Sequence, residues 1–257
     1  MKITRSNNIY HYISNHKKYF FCVIVLYAMA FALALFLPQA FTFFNAPLSE
    51  IGEKIAPLSN IEFTFYVLYN NISNSLMTII SGLFFGIVPL VNSFLNGAIF
   101  GYVSASTYSF TASFSRTFFS FAPHAIFELP ATFLSLGLGF KFGFRFVRNY
   151  IEFYKNDSRM KIFGILLFLL SLIMVSYLFY LSNLRFISSF QLSFYSLLMF
   201  IPLFILFIFN PRIAKIQKKG FYNELRYAVV VFLTVILPLF VIGAIIEGIV
   251  FSITRVN

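Results

Sequence analysis

The chain has 257 residues, of which 60% are apolar and only 11% are charged, and its mean hydropathy is +0.85. Soluble domains carry about 25% charged residues, so a soluble enzyme is excluded and lipid is expected to cover much of the surface. The net charge of +11 does not indicate nucleic-acid binding, because the basic residues lie between apolar segments, where they orient membrane proteins.

Apolar segments long enough to cross a bilayer predict an all-α, polytopic transmembrane helix bundle of about seven spans, since a spanning helix needs about 20 apolar residues. The predicted spans are 19–37, 64–88, 93–110, 117–140, 162–183, 192–209 and 227–252. The turn between the second and third is predicted at Pro89–Asn92. Because this turn carries no charge, a re-entrant hairpin is the alternative for these two segments.

The basic residues predict the orientation. With a cytoplasmic amino terminus, every Lys and Arg faces the cytoplasm except Lys54, Arg116, Arg185 and Arg255, as the positive-inside rule requires. We therefore expect one integral domain over 1–257, multi-pass in the cell membrane. Its cytoplasmic leader is 1–18 and its only sizeable outer-surface segment is 38–63, where Ser49 is expected to cap a short helix ending at Ile55.

Pairs of small residues four positions apart predict close helix packing, because helices in lipid associate by direct contact between their backbones. Such pairs occur in spans two, three, four and seven. Their glycines are Gly82, Gly86, Gly97, Gly101, Gly139, Gly143 and Gly248. We therefore predict a core of these four spans, with spans one, five and six peripheral, and a homodimer through the small-residue faces if they are not used within one chain.

Three ionisable residues lie within predicted spans, where a charge costs roughly 2.5 kcal/mol or more. His124 and Glu128 are four residues apart, so they share a helical face, and Glu247 in the last span is expected at a similar depth. Pro123 and Pro130 flank the first pair and predict a broken or kinked helix. Nearby amides are expected to donate hydrogen bonds to the carboxylates: Asn70, Asn71, Asn74 and Asn96.

This polar cluster has two interpretations. It either binds or conducts a proton, ion or lipid head group, or it holds the helices together with both Glu side chains protonated. No metal or cofactor is expected, because His124 and Glu128 supply only two ligands and Glu247 is distant in the sequence. The sequence contains no HExxH, GxSxG or P-loop motif, so we expect no enzymatic activity.

Two segments resemble the stage II sporulation protein M family. They are YNNISNSLMTIISGLFFGIVPLVNSFLNGAIFGY and APHAIFELPATFLSLGLGFKFG. The second is similar to the family's Pro-His-Gly-x-x-Glu-Leu-Pro-Ala core, with Ala125 where Gly is usual. The resemblance implies a family-like core over 64–143 and 223–252, whose last span carries Glu247, and a two-span insertion over 155–222.

The resemblance also implies a function. The sporulation member of the family acts in septal wall remodelling, where it anchors partner proteins that cut peptidoglycan without being a hydrolase itself. We therefore expect a non-enzymatic protein that scaffolds membrane or cell-envelope partners. The alternative is a transporter or channel for protons, ions or lipid-like substrates that uses His124, Glu128 and Glu247.

Overall fold

The computed structural model describes residues 12–82, 86–153 and 224–256, together with Leu169 and Ile173. Every regular element in these ranges is helical, which confirms the predicted all-α class. The elements are α1 (Lys17–Phe36), a 3₁₀ segment (Pro38–Phe44), α2 (Asn45–Ile55), α3 (Asn60–Ser81), α4 (Ile87–Thr111), α5 (Phe114–Phe153), a π-helical turn (Phe232–Ile236) and α6 (Leu237–Val256). Residues 224–231 are also helical and lead directly into the π turn; we call 224–256 the last helix.

Four helices in the described ranges are long and apolar enough to cross a membrane. These candidate spans are Lys17–Phe36, Ile87–Thr111, Ala122–Arg145 and Glu224–Ile253. They correspond to four of the seven predicted spans. The predicted span 192–209 and nearly all of 162–183 lie outside the described residues.

The second predicted span, 64–88, forms α3 but is not among the four candidate spans. With 22 residues α3 is long enough; its composition is too polar, because asparagines recur along it at Asn60, Asn70, Asn71 and Asn74. Asn71 and Asn74 are half-buried against other helices, whereas Asn60 and Asn70 are exposed.

The turn between α3 and α4 lies earlier than predicted. α3 ends at Ser81 and α4 begins at Ile87, so Pro89 and Asn92 are helical rather than part of a turn. Pro89 is accepted there because the N–H groups of a first helical turn have no partner within the helix. Gly86 precedes α4 with φ +73°, a left-handed conformation that glycine adopts without strain.

α5 is a single helix of 40 residues that continues through Pro123 and Pro130, so of the two predicted alternatives, a broken or a kinked helix, the helix is not broken. Each proline removes one backbone donor, and the carbonyl four residues earlier loses its usual partner. Membrane helices tolerate this when neighbouring groups replace the lost hydrogen bond. The continuous helix keeps His124 and Glu128 on one face.

α1 packs closely against α4, so span one is not peripheral as predicted. Cβ atoms at Gly97 and Gly101 would collide with the backbone carbonyls of Tyr27 and Phe31. Ala30 and Ala34 of α1 are fully buried in the same interface. These two alanines are themselves four residues apart, a small-residue pair that the sequence interpretation overlooked.

The other glycine pairs also contact helices of the same chain. Gly82, which follows α3, meets the backbone of Gly139 in α5, and Gly143 of α5 meets Gly86. Gly248 of the last helix faces the Thr64 side chain of α3. These glycines therefore make contacts within one chain.

The segment after α1 lies at one end of the bundle. α2 has no fully buried residue, although Leu48 and Ile55 pack against the apolar core. It begins at Asn45, earlier than expected, and Ser49 lies inside it with its hydroxyl donating to the carbonyl of Ala46 at 2.9 Å. The expected end at Ile55 agrees with the structure.

Candidate functional site

His124, Glu128 and Glu247 come together between α5 and the last helix. One ligand atom from each lies within 4.8 Å of the other two, and all three side chains are half-buried. Both carboxylates lie six residues from the end of their candidate span, at Ala122 for Glu128 and at Ile253 for Glu247. At 1.5 Å per residue each carboxylate is about 9 Å from that end of its candidate span, so the two antiparallel helices can bring the carboxylates side by side.

Gly243 allows Glu128 to approach the last helix. A Cβ atom at this position would lie only 2.7 Å from Glu128 Cγ, closer than carbon atoms pack in folded proteins. Gly243 is one turn before Glu247, so the last helix presents an open position and then a carboxylate to the same side chain. The sequence gives no packing signal at Gly243, because neither residue four positions away, Leu239 or Glu247, is small.

α3 contributes one amide to the cluster. Asn71 Nδ2 donates a hydrogen bond of 2.9 Å to Glu128 Oε1. The capping box at the start of α3 fixes this helix: the Ser59 backbone N–H donates to Glu62 Oε2 at 2.8 Å, while the Glu62 backbone N–H donates to Ser59 Oγ. The Ser-x-x-Glu spacing is a recognised helix start that the sequence interpretation overlooked.

The other predicted amides do not reach the carboxylates. Asn70, Asn74 and Asn96 line a cavity of about 110 Å³ whose wall also includes Asn71 and Phe240 of the last helix, so the cavity adjoins the cluster. Asn74 Nδ2 donates to Asn70 Oδ1 at 3.2 Å, and Asn96 Nδ2 donates to the carbonyl of Asn92 at 2.9 Å. These three amides form a polar layer next to the cluster.

The cluster lacks compensating charge. Neither Glu128 nor Glu247 has an ion-pair partner among the residues that the structure describes. The Nδ1 atom of His124 is buried and has no hydrogen-bond partner among the described residues. Two carboxyl groups and an imidazole with a free ring nitrogen can share protons or coordinate a cation.

A second ionic cluster, which the sequence interpretation missed, joins the start of the last helix to α5. Glu224 accepts hydrogen bonds from Lys141 Nζ and from the Tyr12 hydroxyl, both at 2.6 Å, and pairs with Arg145. Lys141 is only 3% exposed, and its Nζ lies 3.7 Å from the centre of the Tyr12 ring. The available signal was one acid, Glu224, within a strongly basic loop.

Two groups before α1 complete this second cluster. Burial and the neighbouring Glu224 carboxylate raise the pKa of the Tyr12 hydroxyl far above its ordinary value, so Tyr12 remains a neutral donor. Burial lowers the pKa of His16, whose Nδ1 lies 2.7 Å from the carbonyl of Tyr12. The cluster therefore connects the residues before α1 with α5 and with the last helix.

The chain was compared with known proteins. The family model described as Stage II sporulation protein M matches residues 19–184. The matched range contains α1, His124 and Glu128, and it continues into the segment predicted as an insertion, whereas Glu247 lies beyond it. No curated protein and no solved structure matches the chain.

Proposed function

Because the chain belongs to the stage II sporulation protein M family, we propose that it is a non-enzymatic, multi-pass membrane protein that scaffolds membrane or cell-envelope partners. The family match over residues 19–184 is the observation that carries this proposal. It agrees with the resemblance of the PHAIFELPA segment, and the anchoring role is our proposal on this basis.

The packing of the bundle supports a scaffold. Glycines at the α1–α4 and α3–α5 contacts let backbones touch, which gives a framework with little room for rearrangement. The short helix α2 offers an exposed surface beside this framework. Its Ile51 side chain is 41% exposed between charged neighbours, Glu50, Glu53 and Lys54, and is the position at which we expect a partner to make contact.

The proposal is tested by native electrophoresis of membranes solubilised in a mild detergent. The tagged chain, expressed at its natural level, is expected to migrate in a complex clearly larger than a dimer of the 29.6 kDa chain. Substitution Ile51→Glu should dissociate this complex, because a buried interface does not accept an unpaired charge. Lys54→Gln on the same helix is the control and should leave the complex intact.

Migration of the wild-type chain only as a monomer or homodimer would contradict a scaffolding role. A complex that survives Ile51→Glu would keep the role but move the contact away from α2. The transport alternative has no specific observation in its favour among the described residues, so we do not propose it.

A further inference from the structure

We propose that His124, Glu128 and Glu247 bind a single divalent transition-metal ion, best represented by Zn²⁺. The sequence alone argued against a metal because Glu247 is far from the other two residues in the chain. The fold removes that objection, since one ligand atom from each residue lies within 4.8 Å of the others.

The donor set fits zinc. Imidazole nitrogen and carboxylate oxygen bind Zn²⁺ at about 2.0–2.2 Å, and sites with three protein ligands keep a fourth position for water or another molecule. Tetrahedral ligands at that distance lie roughly 3.4 Å from one another. The ligand atoms of this cluster lie within 4.8 Å of one another, so a bound ion would draw them together by up to about 1.4 Å.

The charge of the site also favours a cation. When both Glu side chains are ionised and the imidazole is neutral, the site carries two negative charges, which a divalent ion cancels. Neither Glu has a basic partner among the described residues, in contrast to Glu224, which has two. Charges in this apolar setting are retained only when they are paired or bind a metal.

The surroundings resemble the outer shell of a metal site. Asn71 donates to one oxygen of Glu128 at 2.9 Å and so orients the carboxylate, as residues beyond the ligands do around metals. The buried Nδ1 atom of His124 has no protein partner in the described ranges. Metal binding would fasten α5 to the last helix independently of any partner protein.

The test is a zinc titration of the chain purified in detergent through a tag that contains no histidine. After chelation and gel filtration, the wild type is expected to bind one Zn²⁺ per chain. His124→Gln, Glu128→Gln and Glu247→Gln should each lower the affinity at least tenfold, and Asn71→Ala should lower it 10- to 100-fold. His16→Gln and Glu53→Gln, which lie outside the cluster, are the matched controls.

A cobalt spectrum identifies the ligands directly. In a Cys22→Ser background, His124→Cys loaded with Co²⁺ should show a thiolate charge-transfer band that the background protein lacks. Zinc should also raise the melting temperature of the wild type but not of Glu247→Gln. If the Gln variants do not fold, zinc stoichiometry of the wild type and the cobalt band still decide the question.

The proposal is overturned if the wild type binds clearly less than one zinc after gel filtration. It is equally overturned if folded Glu128→Gln and Glu247→Gln variants bind zinc as tightly as the wild type, or if loaded, folded His124→Cys gives no thiolate band.

Discussion

At the level of single residues, the two ionic clusters differ in what balances their charge. Glu224 is paired with Lys141 and Arg145 and accepts a hydrogen bond from Tyr12. Glu128 receives one hydrogen bond, from Asn71, and has no basic partner in the described ranges. The first cluster is therefore satisfied by protein groups, whereas the second leaves ligand capacity for a proton or a cation.

Glu224→Gln should destabilise the protein strongly. The substitution keeps the size of the side chain but leaves Lys141, which is 3% exposed, without its counter-charge, at a cost of about 3–5 kcal/mol. Unfolding in mixed micelles of mild detergent and dodecyl sulfate measures this loss. Glu50→Gln, which breaks the exposed pair with Lys54, should change stability little because water screens that pair. Equal losses of stability in Glu224→Gln and Glu50→Gln would show that the burial of Lys141 does not determine the cost of losing its partner.

Gly243→Ala should disturb the His–Glu–Glu cluster without removing any of its polar groups. The added methyl group would lie 2.7 Å from Glu128 Cγ, so this side chain must move away from residue 243. We expect zinc affinity to fall in the titration described above. Gly52→Ala is the control, since a Cβ atom there has no neighbour within 4 Å. An unchanged zinc affinity in folded Gly243→Ala would show that the close approach of Glu128 to the last helix is not needed for binding.

At the level of elements, the π-helical turn and the glycine contacts explain how the last helix and α4 pack. The π turn Phe232–Ile236 ends two residues before Pro238, which has no N–H to donate to the preceding turn. A single π turn accommodates this locally. Gly97 and Gly101 let α4 approach α1 so closely that side chains are excluded.

Gly101→Ala tests the α1–α4 contact. Its Cβ atom would collide with the backbone of Phe31, which cannot rotate away as a side chain can. Overpacking of this kind costs about 1–3 kcal/mol, measured by the same unfolding experiment. Gly52→Ala, in the exposed helix α2, should instead raise stability by up to about 1 kcal/mol, because alanine favours helices. If Gly101→Ala leaves the free energy of unfolding unchanged, α1 and α4 can move apart without a loss of stability.

Ser59→Ala tests the start of α3. Loss of the cap should cost about 1 kcal/mol. Hydrogen bonds from Ser59 hold the pKa of Glu62 below its ordinary value. The stability that these hydrogen bonds contribute is therefore complete above the pKa of Glu62 in the unfolded chain. It disappears as the pH falls through the lower pKa of the folded protein. Melting curves between pH 3 and 7 should show a smaller acid-dependent change in Ser59→Ala. Parallel curves for both proteins would contradict this role.

At the level of the whole molecule, the distribution of basic residues predicts a cytoplasmic amino terminus. In a Cys22→Ser background, a membrane-impermeant maleimide should label Glu53→Cys in intact cells but label Ser14→Cys only after lysis. Both positions are exposed, so burial does not decide the outcome. The reverse pattern would invert the bundle and place the His–Glu–Glu cluster nearer the cytoplasm.

Local periodicity was sufficient for much of the architecture. The low charge and the long apolar segments indicated helices in lipid, and the spacing of His124 and Glu128 placed both on one face because a helix repeats every 3.6 residues. The PHAIFELPA segment indicated the family that the comparison then showed. Helix ends were less predictable, because proline and serine are common both in turns and near the starts of helices. Pro89 and Ser49 were expected outside or at the start of a helix and lie within one.

The sequence by itself determined that this protein is helical, apolar and a member of its family, because these properties depend on composition and on neighbours along the chain. Only the tertiary structure decided that Glu247 joins His124 and Glu128, that Asn71 rather than Asn70 reaches Glu128, and that α1 packs against Gly97 and Gly101. These contacts join distant segments whose relative depth and rotation follow from the packing of several helices together.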